Sequence, residues 1–235
     1  KTAYEIYQCD WSSDVCSSDL VLETSYQTQT EYGDGRGTGK TEAMVPEGRP
    51  STDSTGAPIH TTRKGVDNFW KNFGNTKVVD AQGRPIRMYH GTKNAIISEQ
   101  DPSMAAFDRD GLGSHFTQDA EVASGFAKSF SPEGSVYPVY LNIKNPMRIT
   151  DFGGSHSDAS SVAHDLIRQG ILPQSYVDNA FYNRLNDTRG GDWLKESKKN
   201  NARELTRIAR KIEAETGHDG FVYENKIEGG GDTFV

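Results

Sequence analysis

Long apolar runs are missing from this sequence. No stretch approaches the roughly 20 apolar residues that a membrane-spanning helix needs. No basic start leads into a short apolar segment, so no secretory signal is legible, and the expectation is a cytoplasmic protein without a membrane partner. Positive charge is also scarce. Lys and Arg number 26 against 33 Asp and Glu, a net charge of −7, which argues against nucleic-acid binding by counterion release. Hydrophobic residues make up only 34% and mean hydropathy is −0.72, so a disordered portion is expected beside a folded one. Cysteine occurs twice, at Cys9 and Cys16. No His, Cys and Asp cluster has metal-ligand spacing: His156 and His164 stand without companions, so no metal is expected. No Ser/His/Asp arrangement is legible either.

The two cysteines flank and enter "DWSSDVCSSDL", Asp10–Leu20. That peptide resembles a common DNA-sequencing adapter translated in one frame. Residues 1–20 are therefore taken as an artefact of assembly and set apart from the fold. From residue 21 to 62 the chain is rich in Thr, Ser, Gly, Glu and Pro without periodicity. Such a segment cannot bury enough apolar surface to offset its chain entropy, and it reads as a disordered linker. Within it, Gly39-Lys40-Thr41 imitates the end of a phosphate-binding loop. The required first glycine is Asp34 and no apolar strand precedes it, so the linker reading is preferred.

The folded part is expected over 63–235. Val66, Phe69, Trp70 and Phe73 repeat at helical spacing, with Gly74 as a stop. "TKVVDAQGRPIRMYH" reads as strand, turn and strand, and Ala95–Gly111 as a loop. "GSHFT" is a short strand running into the helix "QDAEVASGFAKSF", with Thr117 as N-cap. "SVYPVYLNIK" is a strand whose Pro138 implies an edge or a bulge. "NPMRITD" is another short strand. A helical insert spans about 152–217 and ends at Gly217. "DGFVYEN" and "DTFV" are two last strands. The apolar strand pattern runs to Val235, which suggests a domain truncated at its C-terminus.

Four of these motifs stand in a telling order: "KVVDAQGRPIRMYHGT", "GSHFTQDAEVASGFA", "VYPVYLNIKNPMRITD" and "HDGFVYENKIEGGGDTFV". Together they resemble the mono-ADP-ribosyltransferase domains of polyvalent proteins of phages and conjugative elements. More distantly they resemble the His-Tyr-Glu class of diphtheria toxin and poly(ADP-ribose) polymerases. The resemblance implies an α+β fold, a split, mostly antiparallel pair of small sheets with surrounding helices, after a disordered N-terminal segment. It implies transfer of ADP-ribose from NAD, bound in the cleft between the sheets, to a macromolecule, with release of nicotinamide. A protein acceptor is expected over nucleic acid. The alternative is an inactive NAD-binding or partner-binding module of a larger phage-type protein.

Bond cleavage to the ribose passes through an oxocarbenium-like transition state, as in glycoside hydrolysis. The site must grip the riboses and the amide, hold the nicotinamide against an aromatic face, and offset the developing charge with a carboxylate. The resemblance gives the first task to His90 (adenosine ribose) and Gly91 (carboxamide), with Thr92 supporting the loop and Tyr89 beside them. It gives the second to Phe126, which has an equal reading as a core residue one turn after Val122. His115 takes the position of the class tyrosine and departs from it. Glu228 is the preferred catalytic carboxylate. A different placement of the last strand puts Thr233 there, and Asp232 and Glu224 are neighbouring acids.

Overall fold

The computed structural model describes residues 48–92, 111–130, 134–153, 156, 158–187, 192–229 and 231–235, and the backbone of 9–10 and 15–16. The linker expectation for 21–47, its Gly33–Thr41 decoy and the loop expected up to residue 110 lie outside the described residues. Strand β1 (Cys9–Asp10) pairs antiparallel with β2 (Val15–Cys16).

Helix α1 (Arg63–Phe73) starts where the Thr62 hydroxyl accepts from the Gly65 N–H at 3.1 Å. Its Val66, Phe69, Trp70 and Phe73 are all buried, as their spacing predicts. They pack on Ile59 and Tyr140, and the Phe69 and Phe73 rings stack at 4.6 Å. Ile59 belongs to the segment read from composition as linker. Ser51–Thr62 is instead packed, with Ile59 and Asp53 buried. Asp53 accepts from the Tyr140 hydroxyl at 2.9 Å and pairs with Arg87 at 2.7 Å. It also accepts from Thr55 and Ala57 N–H groups. A buried carboxylate satisfied this fully ties the segment to the domain, a tie that composition cannot reveal.

Two small sheets form the centre. Strand β3 (Met88–Thr92) pairs antiparallel with β4 (Ser135–Val139), with Tyr89 opposite Pro138 and His90 opposite Tyr137. Pro138 thus sits on an edge strand, where a missing N–H costs no ladder bond. The second sheet runs in the order β5 (Pro146–Arg148), β6 (Gly220–Asn225), β7 (Gly231–Phe234), with β5 and β6 parallel and β6 and β7 antiparallel. Residues 116 and 117 join the sheets. Thr117 exchanges both backbone hydrogen bonds with Tyr89 of β3, and Phe116 does the same with Phe234 of β7. The sheets therefore splay at this one dipeptide. Val78, Met88, Phe116, Val139, Val222 and Phe234 fill the wedge between them.

Helix α2 (Ala120–Phe130) follows directly. Its first N–H groups are capped by Asp119, whose carboxylate accepts from Glu121 N at 2.7 Å. Thr117, the expected cap, falls short of the helix: its hydroxyl accepts from the Asp119 N–H at 3.1 Å while its backbone pairs with Tyr89. The expected strand over 77–80 is likewise reduced to a single bridge, Val79 to Pro85. Against β5 and β6 packs a helical layer of α3 (Ala159–Arg168), α4 (Asn179–Leu185) and α5 (Trp193–Thr216). Each begins at an aspartate cap, Asp158, Asp178 or Asp192. Buried Glu204 of α5 anchors Arg184 of α4 through two bonds of 2.7 and 3.0 Å. Gly217 ends α5 at φ 71°, a conformation glycine adopts without steric cost. Among the described residues no helix is long and apolar enough to cross a membrane.

Candidate functional site

The opening between the two sheets is a cleft of ≈450 Å³, within the range of small-molecule sites. Tyr89, His90 and Gly91 of β3 line one side, and Val122, Ala123 and Phe126 of α2 close over them. The 115–117 segment forms the base. His156, Tyr223, Asn225, Glu228 and Thr233 come from the second sheet and its approaches. Of the residues singled out from sequence, Tyr89, His90, Gly91, His115, Phe126 and Glu228 meet here. Thr92 pairs with Ser135 at the end of β3 and lies outside the lining.

His90 is oriented by the split itself. Its Nδ1 lies 2.9 Å from the carbonyl oxygen of His115. A carbonyl only accepts, so Nδ1 carries the proton, and in the neutral ring Nε2 is an acceptor. Gly91 has a packing reason to be glycine. A Cβ there would stand 2.0 Å from the Ala123 carbonyl oxygen of α2, so α2 can lie on β3 only where the side chain is missing. That close approach brings Phe126 over the cleft. Phe126 is 42% exposed, which settles its two sequence readings against the core.

His115 is held among rings. Its Nδ1 is 3.1 Å from the Tyr223 hydroxyl. The His156 ring meets it edge-on at 5.0 Å and stacks on Tyr223 at 5.1 Å. Burial lowers the His115 pKa to about 3, with help from His156 and His90 and against the pull of Asp151. The ring is neutral at physiological pH, where an unperturbed histidine is partly charged. Burial also lowers the His156 pKa, opposed by Asp151, 3.4 Å from its Nε2, and by Glu228.

The acids separate by strand parity. Glu224 and Asp232 face each other in the β6–β7 register, on the face away from the cleft lining. Asp232 is held by Arg148 through bonds of 3.0 and 2.5 Å. Tyr223 and Thr233 form the neighbouring pair on the cleft side. Glu228 sits in the β6–β7 loop with its backbone N–H bound to Asn225 Oδ1 at 3.0 Å. Its side chain is exposed at the edge of the cleft. Sequence reading passed over Tyr223, Asn225 and His156. The period-two alternation of "GFVYEN" carries a signal for the first two, since it puts Tyr223 and Asn225 on one face and Glu224 on the other. No local pattern marks His156, which reaches the cleft from the insert. Among the described residues no group of three or more His, Cys, Asp or Glu is placed to hold a metal ion.

An α+β domain whose two sheets part at a single dipeptide, with a strand histidine, a helix aromatic and a loop glutamate around the opening, is of the ADP-ribosyltransferase type. The chain belongs to the family described as ADP-Ribosyltransferase in polyvalent proteins, whose family model matches residues 80–235. No curated protein and no solved structure matches it.

Proposed function

We propose that this domain uses NAD as its donor and transfers ADP-ribose to a protein side chain, releasing nicotinamide. The observation that carries the reading is that His90, Phe126 and Glu228, distant in sequence, line one cleft. The donor set suits the ligand: an acceptor nitrogen on His90, backbone groups at Gly91, an open aromatic face on Phe126 and a carboxylate at the edge.

NAD supplies a ribosyl carbon whose bond to nicotinamide breaks as positive charge grows on the ribose. His90 Nε2 accepts from a hydroxyl of the adenosine ribose, and its tie to His115 keeps that nitrogen aimed. Gly91 presents its backbone to the carboxamide, and Phe126 offers its face to the nicotinamide ring. His115, neutral and pinned, adds no positive charge to a centre that is becoming cationic. Glu228, exposed at the edge of the cleft, offsets the growing charge through its carboxylate. Among the described residues no Lys or Arg lines the cleft, which favours a protein acceptor over nucleic acid. The exposed setting of Glu228 favours a second reading, an NAD-binding module without turnover.

The deciding measurement is nicotinamide release from NAD, run beside calorimetric NAD binding. Release that falls to background in Glu228→Gln, with binding kept, supports the transferase. Binding without release in the wild-type protein supports the second reading. Absence of both overturns the assignment of this cleft to NAD.

A further inference from the structure

The floor of the cleft contains two hydrogen bonds that the reaction outlined above does not use. One runs from Asn225 on β6, whose side-chain amide donates to Thr233 Oγ1 at 3.4 Å. An amide nitrogen only donates, so the Thr233 oxygen is the acceptor. A phenol O–H is a stronger donor than an imidazole N–H, and a neutral imidazole nitrogen is a stronger acceptor than a phenol oxygen. Tyr223 stands opposite Thr233 in the β6–β7 register. Its hydroxyl is 3.1 Å from His115 Nδ1. Asn225 and Thr233 are both buried, so water does not compete for these groups.

We propose that Tyr223 is a positioning residue that fixes His115 as the Nε2–H tautomer, so that the cleft meets a hydrogen-bond donor there. The phenol O–H of Tyr223 donates and His115 Nδ1 accepts, which leaves the ring proton on Nε2. The neutral state of His115 is consistent with this, since burial and the flanking His90 and His156 oppose its protonation against Asp151 alone. His156, stacked on Tyr223, keeps the phenol from swinging out of line.

The consequence is a pair of histidines with opposite tautomers. His90 donates from Nδ1 to the His115 carbonyl and offers an acceptor at Nε2. His115 accepts at Nδ1 and offers a donor at Nε2. An acceptor on one side of the cleft and a donor at its base match a ligand carrying both, such as a ribose diol or a primary carboxamide. The class tyrosine that His115 replaces offers a hydroxyl donor, and a neutral Nε2–H supplies the same polarity. The proposal deepens the NAD reading and rests on it for the identity of the ligand, while the tautomers themselves are independent of it.

The test is long-range proton–nitrogen NMR on the full chain with 15N-labelled histidine at neutral pH. The expected spectrum shows His115 protonated at Nε2 alone and His90 at Nδ1 alone. A protonated Nδ1 on His115, or an imidazolium, overturns the proposal. Tyr223→Phe is expected to mix the His115 tautomers and to lower kcat/KM for nicotinamide release about tenfold, the size of one lost hydrogen bond. A Tyr223→Phe protein that keeps a pure Nε2–H signal overturns the positioning role. If the wild-type protein neither binds NAD nor releases nicotinamide while the tautomers are as stated, the NAD reading fails and the positioning role stands.

Discussion

The imidazole of His90 and the backbone of His115 are joined by a 2.9 Å hydrogen bond across the point where the two sheets part. The bond couples a cleft-lining ring to the segment whose backbone pairs with both sheets. Its two functions can be separated. His90→Asn keeps an amide donor near the position of Nδ1 and loses the acceptor at Nε2. His90→Ala loses both. Stability should fall by about 1 kcal/mol in His90→Ala and less in His90→Asn, the net value of one hydrogen bond. NAD affinity should fall about tenfold or more in both. Urea unfolding and calorimetric titration of the pair check this, and unchanged affinity in both variants removes His90 from the binding site.

Gly91 tests the packing of α2 directly. An added Cβ would lie 2.0 Å from the Ala123 carbonyl oxygen and 2.9 Å from its carbon. Both atoms belong to a helix backbone that cannot yield as a flexible side chain does. Gly91→Ala is expected to cost about 1–3 kcal/mol, the usual range for overpacking. Because α2 carries Phe126, the same change should weaken NAD binding by displacing the ring. Denaturant unfolding gives the first quantity, and a stability equal to wild type would mean that α2 has another seat on β3.

What sequence could reveal here depended on periodicity. The α1 face of Val66, Phe69, Trp70 and Phe73 obeys a helical repeat and is buried as that repeat requires. His90, Phe126 and Glu228 were legible only through the family resemblance of the motifs that hold them, and all three line the cleft. Residues whose role depends on distant partners were silent. Asp53 reads as a solvated linker acid until Arg87 and Tyr140 are brought to it. Thr117 reads as a helix cap until Tyr89 claims its backbone. The environment that makes His115 neutral is burial together with His156 and His90, which lie 41 and 25 positions away in the chain (115 to 156, 90 to 115).

The choice among carboxylates follows from strand parity. Glu228 lines the cleft, whereas Asp232 is bound to Arg148 and Glu224 lies 3.8 Å from Lys226 on the exposed side. Glu228→Gln should lower nicotinamide release by about 10²-fold or more, the usual cost of losing a group that stabilises transition-state charge, and leave NAD affinity within about threefold. Asp232→Asn and Glu224→Gln should keep turnover close to wild type. Asp232→Asn should cost no more than about 1 kcal/mol of stability, because its ion pair is exposed. Steady-state kinetics on the three variants discriminates among them. Loss of turnover in Asp232→Asn alone would transfer the catalytic assignment to β7.

The lowered pKa of His115 makes a statement about stability at acid pH. In the folded chain the ring titrates at about 3 against an ordinary 6.5. Between those values the unfolded state binds a proton that the folded state refuses, so stability rises with pH across the window. The contribution is fully present above pH 6.5 and is lost as pH falls toward 3. One proton changes stability by about 1.4 kcal/mol per pH unit. Wild-type protein should therefore lose up to about 3 kcal/mol more than His115→Gln on going from pH 6.5 to about 4. His156 adds to the slope in the same direction in both proteins, because burial lowers its pKa too. Urea unfolding at half-unit pH steps yields the two curves. Parallel curves would mean that His115 takes up its proton in the folded cleft, and that the site carries a positive charge where the proposed chemistry requires a neutral ring.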